Sequence, residues 1–220
     1  MGGRGSYSRS HVVDMRDGFH GRENWDRTHP AVAGPGSLKE ALGNKGRAMG
    51  VSRALEGANT YYSPDHSEFS LNCQRAVVAY ELRRRGYKVT AQPTYEGDRL
   101  PRYASTHGNG FWQGAFQKAK RENIGASSTE QARKNLANKM KSFGPGSRAI
   151  VKIQWKSGSG HVFNAENIGG KITYVDPQVN VRYNPKTILN GVKPGSVSVI
   201  RTDNLRVSSR AKESVWTVGA

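Results

Sequence analysis

The stretch NCQRAVVAYELRRRGY, residues 72–87, decides the fold class, because it predicts a single helix with a cysteine in its first turn. Apolar side chains recur at helical spacing, at Cys73, Ala76, Val77, Tyr80 and Leu82. A helix face with this spacing packs against a core. Asn72 is a residue type that caps helix N-termini, and three arginines followed by Gly86 are typical of a helix C-terminus. We therefore expect a helix over residues 72–86, with the cysteine at its start.

The second half of the chain predicts antiparallel strands. Residues 148–155 alternate between apolar and polar side chains, and two apolar runs, residues 160–168 and 171–175, flank Gly169-Gly170. A two-residue Gly-Gly loop between such runs is typical of a β-hairpin. Shorter strand-like runs lie at residues 87–91, 179–183 and 197–201. The predicted class is therefore α+β, with an N-terminal helix that carries the cysteine packed on an antiparallel sheet.

Composition divides the chain into three parts. Residues 1–57 are rich in glycine, arginine, serine, asparagine and histidine, which predicts an extended arm. Residues 58–200 hold the main helix and strands and form the expected catalytic domain, and residues 201–220 form a C-terminal tail. Further helices are expected over residues 37–42, 47–55, 112–122 and 129–143. The two helices in the arm depend on docking for their stability.

The charge balance indicates an acidic partner. Lysine and arginine number 34 against 17 aspartate and glutamate, which gives a net charge of +17. A basic surface of this kind favours an acidic partner, with nucleic acid first among the candidates. The sequence contains no recognised nucleic-acid-binding motif, so the charge alone supports this expectation.

Several classes of protein are excluded by what the sequence lacks. A single cysteine rules out an internal disulfide framework and a cysteine-based zinc cluster. No apolar run approaches the roughly 18 residues of a membrane helix, so we expect a soluble protein with no membrane partner and no secretory signal of the general type. His11, His20 and His29 lack cysteine or carboxylate partners at ligand spacing, so neither a metal nor another cofactor is predicted.

The hairpin places a histidine beside a carboxylate. If Gly169 and Gly170 form the two-residue loop, His161 faces Gln178 across the hairpin, and Asp176 lies on the same face because side chains alternate along a strand. The diagonal separation of His161 and Asp176 is then roughly 7 to 8 Å between backbones, which their side chains can span. The sequence therefore predicts a general base next to the group that orients it.

The cysteine lies where a nucleophile is activated. The first turn of a helix favours a thiolate over a thiol, and a nearby imidazolium completes the activation. The backbone N–H of Cys73 is the expected oxyanion donor, with Asn72 and Gln178 as candidates for oxyanion binding or substrate positioning. A helical cysteine also serves as a small buried apolar residue, and Asp176-Pro177 also opens turns. The order Cys73, His161, Asp176 favours the catalytic interpretation, and spacing alone leaves both open.

Three stretches resemble the papain-fold toxin domain of bacterial polymorphic toxins. They are NCQRAVVAYELRRRGY at residues 72–87, GHVFNAENIGG at residues 160–170 and YVDPQ at residues 174–178. Characterised members of that group are glutamine deamidases. Similar domains occur in bacteriophage head-associated proteins, often behind a Gly/Arg-rich start like residues 1–6. The resemblance covers residues 58–183.

This resemblance implies a papain-like fold and a role for each residue. Cys73 would attack a carboxamide carbon of a protein substrate, His161 would shuttle the proton, and Asp176 would hold the imidazole, with no cofactor. The sequence departs from papain proper in lacking a glutamine five or six residues before the cysteine, where Glu68 and Ser67 stand. That departure leaves the side-chain oxyanion donor unassigned.

The resemblance implies a toxin-type or effector-type protein glutamine deamidase, and two alternatives stay open beside it. A cysteine protease would use the same residues. A phage head protein would use its basic surface on DNA or the capsid, with the papain-like domain as a scaffold. The expected location is the bacterial cytoplasm or the virion, with action in a target-cell cytoplasm for an effector. A toxin would also have an immunity protein as a candidate partner.

Overall fold

The computed structural model describes residues 35–65, 67–94 and 111–218. Their helices are α1 Leu38–Leu42, α2 Val51–Glu56, α3 Ser67–Ser70, α4 Cys73–Arg84, α5 Phe111–Gly114 and α6 Thr129–Ser142. The strands are β1 Val89–Ala91, β2 Glu122–Asn123, β3 Arg148–Gln154, β4 Gly160–Ile168, β5 Lys171–Asp176, β6 Val181–Tyr183, β7 Ser198–Arg201 and β8 Val215–Thr217. Short 3₁₀ turns lie at Pro194–Ser196 and Ser209–Glu213. The mixture of helices and antiparallel strands confirms the predicted α+β class.

The main sheet has six strands in the order β2-β7-β3-β4-β5-β6, and β1 and β8 form a separate two-stranded sheet. All the strand pairs described are antiparallel. The two faces of the main sheet are covered by different helices. On β4, Val162 belongs to the core cluster of α4, whereas Phe163 belongs to the cluster of α6. This alternation follows from the two-residue period of a strand.

Two buried carboxylates fix α4 on the sheet. Glu81 accepts hydrogen bonds from Arg85 at 2.7 Å and from Arg148 of β3 at 2.9 Å. Glu166 of β4 accepts hydrogen bonds from Tyr80 at 2.6 Å and from Arg84 at 2.7 Å. Both carboxylates are buried, and a buried charge is tolerated only when it is paired and hydrogen-bonded. The two networks therefore set the orientation of α4, and with it the place of the residue at its start.

The predicted main helix is confirmed as α4, and Gly86 ends it as expected. Gly86 has a φ of 102°, and a Cβ there would lie 2.3 Å from the Gly46 carbonyl oxygen. Both the backbone angle and the close approach require glycine. Asn72 occupies the N-cap position but makes no side-chain capping bond. The capping part of that prediction is wrong, because its amide is used elsewhere.

The predicted hairpin is confirmed with its register. Ile168 pairs with Lys171 and Asn164 with Val175, so Gly169 and Gly170 are the two loop residues. The strands expected over residues 87–91, 179–183 and 197–201 are present in shorter form as β1, β6 and β7. Three other helices also match their predicted positions, namely α1, α2 and α6.

The helix predicted over residues 112–122 is wrong. Only Phe111–Gly114 is helical, and Glu122–Asn123 is a strand that pairs with β7. Lys118 has a positive φ of 55°, which an α-helix does not accommodate. Phe116 instead bridges to Val207, so pairing with a distant segment replaces local helical bonds.

Both terminal segments contribute to the core in their described parts. Leu42 and Ala54, from the segment assigned to the arm, are buried in the same cluster as α4. Arg83 donates to the Ala54 carbonyl at 3.1 Å. Val215, from the segment assigned to the tail, pairs with Ala91 of β1. The division into arm, catalytic domain and tail stays a prediction.

Candidate active site

The opening of the β-hairpin brings His161 and Asp176 together. β4 pairs with β3 as far as Gly160, but its pairing with β5 stops at Asn164 and Val175. Beyond that point the hairpin ladder leaves room between the strands. His161 Nε2 and Asp176 Oδ2 lie 2.7 Å apart across this opening. His161 and Asp176 are therefore neighbours, as the hairpin register predicts.

Asp176 is held by three donors. His161 and the Tyr183 hydroxyl, at 2.5 Å, share Oδ2, and the Gln178 backbone N–H donates to Oδ1 at 3.0 Å. Burial alone would raise the pKa of this carboxyl. The charge and hydrogen bond of His161 outweigh burial, and with Tyr183 and Gln178 they hold the pKa below its usual value of 3.8. Asp176 is therefore a buried carboxylate that stays ionised.

His161 is placed between an acid and a thiol. Burial lowers its pKa, but the charge and hydrogen bond of Asp176, followed by the hydrogen bond and charge of Cys73, raise it from 6.5 to about 10. Because Nε2 is bonded to Asp176, the contact with Cys73 falls to Nδ1. The imidazole thus lies between the Asp176 carboxylate and Cys73, and both neighbours favour its protonated form.

Trp155 forms one wall of the site. Its ring stacks on the imidazole of His161, with 6.4 Å between centroids and 21° between planes. Trp155 sits just after β3 and bridges to Val192, which holds the indole against the sheet. A flat apolar ring at this position keeps water from one face of His161, so it strengthens the electrostatic contact with Asp176.

Cys73 completes the cluster from the other side of the opening. It is the first residue of α4, its side chain is buried, and its thiol is not in a disulfide. The helix and the hairpin are thus the two elements that position the site, and the ion pairs of α4 fix their relative orientation. The structure thus brings together Cys73, His161 and Asp176, the three residues singled out from the sequence.

Asn72 and Gln178 lie beside the site but use their amides to hold loops. Asn72 Nδ2 donates to Asn59 Oδ1 at 2.9 Å and to the Gln92 carbonyl at 3.1 Å. Gln178 Nε2 donates to the Ser70 carbonyl. Two hydrogen bonds thus engage the Asn72 Nδ2 group and one engages the Gln178 Nε2 group. The oxyanion or substrate-positioning role of Asn72 and Gln178 stays a prediction. Their contacts fix the loop that leads into Cys73.

Sequence reasoning missed Asn59 and Tyr183. Asn59 Nδ2 donates to Asn72 Oδ1 and to the Gln178 carbonyl at 2.8 Å, so it ties the two halves of the site together. No local pattern signals a pair that is 119 residues apart in the chain. Tyr183 had a usable signal, because β6 follows β5 directly and pairs Tyr174 with Tyr183. The register of that turn, with Asn180 at a φ of 54°, was not predicted.

Tests for metal sites and membrane spans gave negative results within the described ranges. No group of three or more histidine, cysteine, aspartate or glutamate side chains there is arranged to hold a metal ion. Nor is any helix of those ranges both long and apolar enough to cross a bilayer. His11, His20 and His29 lie outside the described residues.

Tyr183→Phe should destabilise the protein in a pH-dependent way. Hydrogen bonds to charged groups contribute about 1.5–3 kcal/mol, so we expect a loss of this order at neutral pH. The lowered pKa of Asp176 means that this contribution is present above pH 3.8 and is lost as the pH falls through the folded-state pKa. Urea unfolding from pH 7 down to pH 3 measures this loss. The free energies of unfolding of the wild type and of Tyr183→Phe should approach each other at the acid end.

Tyr174→Phe is the matched control. Both tyrosines pack edge-on against Phe163, with centroid distances of 6.1 Å for Tyr174 and 5.7 Å for Tyr183. Only Tyr183 has a hydrogen bond to Asp176. An equal, pH-independent loss in both variants would show that ring packing and not the carboxylate contact is responsible.

The comparisons with known proteins point to one family. The family model described as papain fold toxin 1, glutamine deamidase, matches residues 71–180. The matched segment begins two residues before Cys73 and ends beyond Gln178, so it includes Cys73, His161 and Asp176. No curated protein and no solved structure matches the chain.

Proposed function

The chain belongs to the papain-fold toxin family of glutamine deamidases, and we propose that Cys73, His161 and Asp176 catalyse its reaction on a protein substrate. The observation that carries the proposal is the position of His161, which contacts both Asp176 and Cys73 in a buried site. A nucleophile, a base and a group that orients the base are the parts that acyl transfer through a thiol requires.

The first half of the reaction forms a thioester. The Cys73 thiolate attacks the Cδ carbon of a substrate glutamine, and the carbonyl electrons move onto the oxygen. His161 donates its Nδ1 proton to the amide nitrogen as the tetrahedral species collapses. The C–N bond breaks, ammonia leaves, and His161 becomes neutral.

The second half consumes water. His161 Nδ1 accepts a proton from a water molecule, whose oxygen attacks the thioester carbon. Collapse expels the Cys73 thiolate and releases a glutamate side chain, so the net change is glutamine plus water to glutamate plus ammonia. Asp176 stays ionised and stabilises the imidazolium in both halves.

Backbone groups at the start of α4 are the best oxyanion donors. The first N–H groups of a helix have no intrahelical partner, and Asn72 makes no side-chain cap here. Helix N-termini also stabilise developing negative charge. The N–H of Cys73 therefore takes this role in the proposal, as the sequence suggested.

Ammonia release tests the proposal. With the blocked dipeptide benzyloxycarbonyl-glutaminyl-glycine and unfolded casein as substrates, we expect ammonia and new glutamate side chains with no new chain termini. Mass spectrometry of the casein distinguishes deamidation from cleavage of the chain. Cleaved casein without glutamate formation would mean that the site is a cysteine protease.

A second candidate function, contact with DNA or a capsid in a virion, is favoured by the net charge of +17. Neutralisation of several phosphates would give an affinity for duplex DNA that falls steeply with salt. Such binding, unchanged in Cys73→Ala and without ammonia release from either substrate, would favour this function over deamidation.

A further inference from the structure

Lys152 is a partly buried cation on β3 without an acidic partner. No ion pair or hydrogen bond of its ammonium group exists among the described residues. Burial lowers its pKa, and the positive charge of Arg121 lowers it further. A cation that is desolvated and close to a second cation is electrostatically unfavourable until an anion joins it.

Arg121 is an exposed cation whose charge acts on Lys152. It packs over the Trp112 ring at 5.7 Å and donates to Gln113 at 3.2 Å, with no carboxylate partner in the described part of the chain. The sheet register explains its closeness to Lys152. Lys152 pairs with Ser198 of β7, and Ser198 pairs with Asn123 of β2, two residues beyond Arg121. Arg121 therefore lies on the same face of the sheet as Lys152, two strands away and two residues off its row.

The register also places Lys152 level with the start of α4. Arg148 bonds to Glu81, and Lys152 lies four residues further along the same strand face, about 13 Å away. Moving the same way along α4 from Glu81 to Gln74 covers seven residues, or about 10 Å, and returns to the same helix face after two turns. Gln74 and Lys152 are thus corresponding positions on the two elements. Gln74 follows Cys73 in the chain, and Lys152 precedes Ile153, the strand partner of His161.

Gln74 gives an independent sign of a missing ligand. Its side chain is 3 % exposed, and within the described residues its Oε1 has no hydrogen-bond partner. Buried acceptors without a donor are uncommon in native structures and call for an explanation. A substrate N–H lying beside the proposed nucleophile would supply that donor.

We propose that Lys152, Arg121 and Gln74 form a substrate subsite beside Cys73, which binds a protein segment with an acidic residue next to the target glutamine. The two cations bind the carboxylate, and Gln74 Oε1 accepts an N–H of the same segment. This inference rests on the proposed function for the identity of the target side chain. It adds the class of substrate, an acidic glutamine-containing segment.

Paired peptides test the subsite. Each pair has one central glutamine and differs only by glutamate or alanine at one flanking position, taken in turn. We expect one position at which glutamate raises kcat/KM by about tenfold because it lowers KM. This advantage over alanine should shrink as salt is added, since salt screens the charges. Lys152→Met should reduce that advantage to less than about twofold. Lys141→Met, which removes an exposed lysine at the end of α6, should retain it.

Charge reversal separates recognition from a structural effect. Lys152→Glu should favour a peptide with lysine at the same flanking position, which a merely misfolded site would not do. Equal kcat/KM for the glutamate and alanine peptides at every position, in an active wild-type chain, would overturn the subsite.

A binding measurement keeps this inference distinct from the proposed function. Fluorescence anisotropy of the labelled glutamate peptide on Cys73→Ala reports affinity without turnover. If no peptide is deamidated but Cys73→Ala binds the glutamate peptide more tightly than Cys73→Ala with Lys152→Met, the subsite stands and the reaction fails. A single-stranded oligonucleotide that binds through Lys152, when neither peptide does, would overturn the subsite in favour of nucleic acid.

Discussion

Cys73→Ser should abolish deamidation, with a fall in kcat of about 10,000-fold or more. A serine hydroxyl keeps the shape of the side chain but does not form the thiolate that His161 is held to pair with. Loss of that charge also removes one cause of the raised pKa of His161, so a smaller fraction of the imidazole carries the proton that the leaving ammonia needs. Ammonia release from the blocked dipeptide measures kcat. The melting temperature should change little, since the substitution conserves volume.

The single cysteine provides a control that needs no substrate. Iodoacetamide can alkylate only Cys73 in this chain, so labelling reports its thiolate directly. We expect fast labelling that persists well below pH 8 in the wild type and slows in His161→Ala. Labelling with the pH profile of an ordinary thiol in both chains, or ammonia release that survives in Cys73→Ser, would remove Cys73 from the mechanism.

Local sequence patterns were sufficient for the elements that carry the three residues. Helical spacing and a glycine stop defined α4, and the Gly169-Gly170 loop fixed the register of β4 against β5. That register alone put His161 and Asp176 on one face. Each of these features depends on residues close together in the chain, where periodicity and turn geometry have direct physical causes.

Long-range contacts account for what the sequence did not predict. The amides of Asn72 and Gln178 looked available for an oxyanion, but Asn59 and the Ser70 carbonyl engage them. The segment after α5 has helical composition and still pairs with β7, because tertiary pairing outweighs weak helix propensity. Such partners are found only when the whole fold is known.

The function of the net positive charge also depends on contacts that the sequence does not show. The net charge of +17 is spread along the chain, and composition does not show which cations lack an acidic partner. The fold pairs Arg84, Arg85 and Arg148 with buried carboxylates, so these arginines hold α4 in place. It leaves Lys152 and Arg121 without an ion pair among the described residues, and the charge of Arg121 acts on Lys152. The subsite proposed above assigns a function to these two cations.

Asp176→Asn should lower kcat by about 1,000- to 10,000-fold while leaving the fold intact. Asp176 accepts from His161, Tyr183 and the Gln178 N–H, so both of its oxygens face donors. An asparagine has one oxygen and must turn its NH₂ group toward one of these donors. It also removes the charge that raises the pKa of His161. Single-turnover ammonia release measures the loss, and Asp65→Asn, at an exposed position, is the matched control.

The stability of Asp176→Asn should depend on pH in a way that identifies the pair. Asp176, with its lowered pKa, stabilises the fold above pH 3.8 and loses this effect as the pH falls. His161, with its raised pKa, stabilises the fold fully below pH 6.5 and loses this effect as the pH rises toward about 10. The free energy of unfolding of the wild type should therefore exceed that of the variant most between pH 3.8 and pH 6.5. Urea unfolding at closely spaced pH values measures the difference. A difference that is constant from pH 3 to pH 10 would mean that Asp176 contributes hydrogen bonds but no charge pair with His161, and the proposed imidazolium would lose its physical basis.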